Sequence, residues 1–125
     1  LILDTNAVSA LLAGDEALAA VLAPSSRHHL PVIVVGEYKF GLQRSRHRRQ
    51  LLRLLDELVR QSTILTVELA TTDSYSQIRE SLRASGRPIP ENDVWIGALA
   101  HQHRLAVVSR DGHFDAVAGV RRISW

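Results

Sequence analysis

At 125 residues, 46% of them hydrophobic and 22% charged, the chain has the length and apolar content of one folded domain spanning residues 1–125 rather than of a disordered segment. It contains no cysteine, which excludes a disulfide framework and a thiolate zinc site and fits a cytoplasmic setting; no apolar run approaches the roughly 20 residues that span a bilayer, and no signal-peptide layout opens the chain, so no membrane association is expected. Fourteen arginines and one lysine stand against 13 acids, a net charge of +2 that by itself points only weakly to polyanionic partners.

Leu1-Ile2-Leu3 reads as a short buried strand that ends at Asp4. Helical material follows with Ala7, Leu11 and Leu12 on one face, and Gly14-Asp15 restarts a second helix through Ala17, Leu18, Val21 and Leu22, which Pro24-Ser25-Ser26 ends. His28 to Leu30 reads as a brief strand. Pro31 suits the first turn of the next helix, where its missing N–H would be unpaired anyway. That helix carries Val34, Tyr38 and Leu42 at steps of four, with Glu37 one residue off the stripe. The stretch Arg44-Ser45-Arg46-His47-Arg48-Arg49 then places four arginines in six residues, a pattern that fits either a solvated helix junction or a bidentate grip on phosphates. A helix from about Arg46 to Gln61 buries Leu51, Leu54, Leu55, Leu58 and Val59, and Ser62 to Val67 reads as a strand. Tyr75, Ile78 and Leu82 mark a further helix, stopped at Ser85-Gly86 with Pro88 beyond it. Pro90-Glu91-Asn92-Asp93 opens the next, with Asn92 as N-cap and Asp93 in the first turn, and Trp95 in its core stripe. Leu105 to Ser109 is the clearest buried strand, and Val120 to Ser124 follows Gly119 as an edge strand. Short strands alternating with helices predict a mainly parallel sheet covered on both faces.

Four acids sit at element boundaries: Asp4, Glu37, Asp93 and Asp111. Each has a plain structural reading: a cap for Asp4 and Asp93, a surface helical acid for Glu37, and an Asp-Gly turn for Asp111. Asp4 and Asp111, however, both follow apolar strands, and in a parallel sheet both lie at the carboxyl-end edge, where open α/β sheets bind ligands. Two unit charges about 4 Å apart repel by roughly 4 kcal/mol at an effective dielectric near 20, so four converging carboxylates require cations. Mg2+ or Mn2+, hard ions that take oxygen ligands, fit that donor set and serve phosphoryl chemistry. No Walker-type Gly-x4-Gly-Lys-Ser/Thr is present, and no Ser-His-Asp arrangement stands out. An aspartyl-nucleophile phosphatase of the haloacid-dehalogenase type needs a second acid two residues after the first, where this chain has Asn6.

The segments Leu3-Asp4-Thr5-Asn6, Gly36-Glu37-Tyr38-Lys39-Phe40-Gly41, Asn92-Asp93-Val94-Trp95-Ile96-Gly97-Ala98-Leu99-Ala100 and Ser109-Arg110-Asp111-Gly112-His113-Phe114 resemble, in order and context, those of PIN-domain ribonucleases, and most closely the VapC-type toxins of bacterial toxin–antitoxin pairs. The resemblance implies a three-layer α/β/α sandwich around a five-stranded parallel sheet. It also implies Mg2+- or Mn2+-dependent endoribonuclease activity leaving 3′-hydroxyl and 5′-phosphate ends, a homodimer, and inhibition by a cognate VapB-like antitoxin. Carried onto this chain, the family's acidic quartet falls on Asp4, Glu37, Asp93 and Asp111, as catalytic and metal-binding residues. Thr5, Asn6 and Ser109 match polar positions that support the carboxylates.

Many members of that family carry a further acid before the phenylalanine, where this chain has His113; Asp115 lies nearby and either substitutes for it or, as the favoured reading, is a surface residue. His113 itself reads either as a ligand or phosphate contact or, the leading expectation, as a loop histidine beside a buried Phe114. Arg44, Arg46, Arg48 and Arg49, with Arg87 and Arg110, are the expected contacts to the RNA backbone. The competing expectation is a non-catalytic PIN scaffold that acts by binding a partner.

Overall fold

Five short strands, β1 (Ile2–Leu3), β2 (His29–Pro31), β3 (Thr63–Leu65), β4 (Val107–Val108) and β5 (Arg122–Ile123), run parallel in the order β3-β2-β1-β4-β5. This computed structural model describes residues 1–24 and 27–125; Ser25 and Ser26, where the sequence puts the end of the second helix, lie outside the described residues. The strand order reverses beside β1. The chain first steps outward from β1 to β2 and β3, through α1 (Thr5–Leu12), α2 (Glu16–Leu22), α3 (Val32–Gly41) and α4 (Arg48–Gln61). It then crosses back to β4 through α5 (Thr71–Ser85) and α6 (Glu91–His103). Right-handed crossovers in opposite directions put the two helix groups on opposite faces of the sheet, giving the expected α/β/α layers.

Burial explains the pattern in each layer. Ile2, Leu3, Leu30, Val107 and Val108 are fully buried, as strands covered on both faces must be. On one face Ala7, Val8, Leu18, Val34, Tyr38, Leu55 and Leu58 close over them. On the other, α6 is buried on two sides, with Ile96, Leu99 and Ala100 against the sheet and Val94 and Ala98 against Ile78 and Leu82 of α5. Gly86 ends α5 in the left-handed region at φ 65°, where glycine avoids the Cβ clash.

Several boundaries differ from the sequence reading. Pro31 is the last residue of β2, paired with Leu65, and caps α3 from outside instead of opening it; its φ of −63° suits both roles. Pro90 rather than Asn92 precedes α6, so Asn92 is an exposed residue of the first turn. The fourth helix starts at Arg48, leaving Arg44 and Arg46 in the preceding turn, and β3 stops at Leu65 where its pairing with β2 ends. Among the described residues no single helix is long and apolar enough to cross a membrane.

Candidate active site

The reversal of strand order places the ends of β1 and β4 side by side, and Asp4 and Ser109 follow them level with each other. The Asp4 N–H donates to the Val108 carbonyl at 3.1 Å, and the Ser109 N–H to that of Ile123 at 3.0 Å. Asp4 occupies the N-cap position of α1, yet its carboxylate makes no cap bond. Instead Oδ2 accepts from the Ser109 hydroxyl at 2.7 Å and from the Asn6 amide at 3.4 Å. The capping reading of Asp4 therefore fails for its side chain. Asp4 as a whole is only 4% exposed, and burial pushes its carboxyl pKa up to about 6. The Ser109 hydroxyl and the Thr5 N–H pull the other way, while the charges of Asp93 and Glu37 add to the rise.

Ser109 ties this corner together. Besides donating to Asp4, its Oγ accepts from the Asn6 amide at 3.2 Å and from the Asp111 N–H at 2.9 Å, using its donor and both lone pairs. The Asn6 carbonyl oxygen in turn accepts from the Arg110 N–H at 3.1 Å. Thr5 serves Glu37, its hydroxyl donating to Oε1 at 2.9 Å across 32 residues of sequence. All three polar residues thus orient acids or the loop that carries one.

Asp93 enters from the first turn of α6, where its side chain lies near the positive end of the helix dipole. Burial raises its pKa; a hydrogen bond from His113 opposes the rise, and the charge of Asp111 adds to it. Asp111 caps the short 3-10 turn Gly112–Ala116, accepting from the His113 N–H at 2.9 Å. Asp4, Glu37, Asp93 and Asp111, with Thr5, Asn6 and Arg110, line one open cleft of about 740 Å³. Four carboxylates in one cleft call for cations, and no basic side chain among the described residues pairs with Asp4 or Glu37.

One expectation changes. His113 is part of the site: its Nδ1 lies 2.9 Å from Asp93 Oδ2 and 3.0 Å from Asp111 Oδ1, and the bond to Asp93 chiefly holds its pKa above the ordinary value. Asp115 does not replace the missing acid, because both its oxygens bind Arg122 at 2.8 Å. Arg44, Arg46, Arg48, Arg49 and Arg87 are exposed and do not line the cleft, whereas Arg110 does, held 3.4 Å from Asp15 with its guanidinium 4.5 Å from the Trp125 ring centre. Phe114 is a core residue as expected. Trp95 is only half-buried and stacks on Tyr75 at 3.9 Å.

The fold and cleft define an α/β/α domain with an acid-lined pocket at its topological switch point. Residues 1–120 match the family model described as PIN domain, and the chain belongs to that family. Among curated proteins it is 26% identical to Ribonuclease VapC4 of Mycobacterium tuberculosis, over 74% of this chain and 73% of that one. Among solved structures it is similar to VapBC-5 of M. tuberculosis, described as a member of the VapBC family of toxin–antitoxin systems, at 30% identity and TM-score 0.78 over 99% of this chain and 97% of that one. It is also similar to FitAcB from Neisseria gonorrhoeae, at 29% identity and TM-score 0.84, over 98% and 95% respectively.

Proposed function

We propose that this protein is a metal-dependent endoribonuclease toxin that hydrolyses RNA phosphodiester bonds in the cytoplasm and is neutralised by a cognate VapB-like antitoxin. The observation that carries the reading is the convergence of Asp4, Glu37, Asp93 and Asp111 on one cleft in a PIN domain whose curated relatives are ribonucleases. The four carboxylates and the open face for water and phosphate suit Mg2+ or Mn2+. When bound, such an ion polarises the scissile phosphate and lowers the pKa of a coordinated water.

The chain's own residues then divide the work. Asp4, Asp93 and Asp111 hold the cation. Glu37, fixed by Thr5, serves as a ligand or orients the attacking water. Ser109 and Asn6 keep Asp4 aimed into the cleft. Attack of water on phosphorus breaks the bond to the 3′ oxygen, leaving a 3′-hydroxyl and a 5′-phosphate. Arg110 meets the RNA backbone at the rim, and Arg44, Arg46, Arg48 and Arg49 extend the contact beyond it.

A non-catalytic scaffold acting by partner binding is the alternative, and the burial of Asp4 speaks against it. A buried carboxylate without a cationic side-chain partner destabilises the fold, and a scaffold gains nothing from keeping one. The test is cleavage of cellular RNA with Mg2+ or Mn2+, with 5′ ends mapped, beside Asp93→Asn. Cuts should depend on metal and fall at least about 100-fold in the variant, because even outer-shell partners of metal ligands are worth 10–100-fold. Undiminished cutting by a folded Asp93→Asn protein would refute the assignment; tight partner binding with no cleavage by the wild type would favour the scaffold. Light scattering tests the homodimer that the family resemblance implies.

A further inference from the structure

The third donor beside Asp93 and Asp111 is a nitrogen. His113 Nδ1 lies 2.9 Å from Asp93 Oδ2 and 3.0 Å from Asp111 Oδ1, and the ligand atoms these three residues offer all lie within 4.8 Å of one another. An octahedral ion with ligands at about 2.0–2.1 Å sets adjacent donors about 2.8–3.0 Å apart. The imidazole nitrogen is thus already spaced from each carboxylate as a neighbouring vertex of one coordination shell.

The chain fixes it there. The His113 N–H is bonded to Asp111 Oδ1 at 2.9 Å, the next residue, Phe114, is fully buried, and the turn that carries both packs against α6. The ring therefore stands on an anchored 3-10 turn rather than on a free loop.

We infer that His113 is a metal ligand through Nδ1 and that it shifts the cleft's preference from Mg2+ toward Mn2+ and the more nitrogen-seeking first-row ions. The inference rests on the nuclease reading above and deepens it. Mg2+ is hard, prefers oxygen and gives up water reluctantly, whereas imidazole favours the later divalent ions in the order Mn2+ below Co2+ below Ni2+. A neutral ring in place of a fifth carboxylate also removes one negative charge, and with it part of the Coulombic attraction on which a hard ion relies.

The test is metal binding, measured by calorimetry with Mg2+, Mn2+ and Co2+ on the wild type, His113→Asp and His113→Gln, together with pulsed electron paramagnetic resonance of the Mn2+ complex. The wild type should show hyperfine coupling to a histidine nitrogen, and His113→Asp should lose it while the Mn2+ over Mg2+ affinity ratio falls about tenfold. The resonance signal is read on the unmodified protein, so it does not depend on how a variant folds. Mn2+ bound without nitrogen coupling would overturn the ligand assignment and leave the nuclease reading standing. A wild type that binds none of the three ions would overturn both.

Discussion

Asp4 is held against its own solvation. Its carboxyl titrates near 3.8 when free and at about 6 in the fold, chiefly because it is buried. The folded state therefore binds more protons than the unfolded state between those values, and stability falls as pH rises through them, by about 3 kcal/mol when complete. Asp4→Asn keeps the shape and an acceptor for the Ser109 hydroxyl while removing the charge. It should stabilise the metal-free protein by about 2 kcal/mol at pH 7.5 in urea unfolding, and lower cleavage at least about 100-fold. A variant that is less stable at that pH would show the charge to be compensated after all. Ser109→Ala should act in the opposite direction on stability. The hydroxyl is fully buried and joins Asp4, Asn6 and Asp111, so its loss leaves the Asp111 N–H without that acceptor and Asp4 without its shortest hydrogen bond. A cost of about 1–3 kcal/mol is expected in the same urea experiment, and no measurable change would mean that water replaces the hydroxyl freely.

Elements position these residues, and the elements differ in how far the sequence reveals them. β1 and β4 were legible as apolar runs ending in polar residues, because strands covered on both faces leave no alternation to confuse the reading. The amphipathic stripe of α4 and the glycine stop of α5 were legible for local reasons too. The end of β3 was not, since it depends on where β2 stops offering partners, and Pro31 suited a strand end as well as a helix start. The acids could be found one by one at strand and helix ends. His113 was legible only as one of two readings, because its place comes from a turn folding back onto a helix 20 residues earlier, a contact with no sequence period. The α3–α4 junction supplies the element-scale prediction. Arg44, Arg46, Arg48 and Arg49 are exposed and make no ion pair among those described, so replacing all four by alanine should leave the melting temperature within about 2 °C. If they hold single-stranded RNA, the slope of log affinity against log salt should shrink by about 3, at roughly 0.7 per phosphate contact. An unchanged slope would remove the cluster from the RNA path.

Across the whole molecule, fold stability and the proposed cation binding meet at one edge of the sheet. Burial raises the pKa of Asp4 and Asp93, and the bond to Asp93 raises that of His113. For the two acids, stability is lost as pH climbs from the ordinary carboxylate range through the raised values. For His113, the contribution is complete below 6.5 and disappears as pH passes its raised value. Asp15, Glu57, Glu80 and Asp115 are held low by their hydrogen bonds, so their contributions change only in the acid range. His28 and His29, lowered by burial, act in the opposite sense near pH 6, which makes the metal-free melting curve alone a poor reporter of the cleft. The difference between curves with and without metal cancels those distant groups. If the cleft holds a cation through these residues as proposed, Asp4, Asp93 and Asp111 must be ionised and the His113 ring neutral, so the ion's stabilising effect should grow as the protons leave. At 100 times its dissociation constant it adds about 2.7 kcal/mol, or about 10 °C for a chain of this length. Melting with Mn2+ minus melting with chelator should therefore be small at pH 5 and approach that value by pH 8. Asp93→Asn should keep the difference near zero throughout. Parallel wild-type curves over that range would separate metal binding from these carboxylates and would sink the coupling between the cleft's protonation and a bound ion.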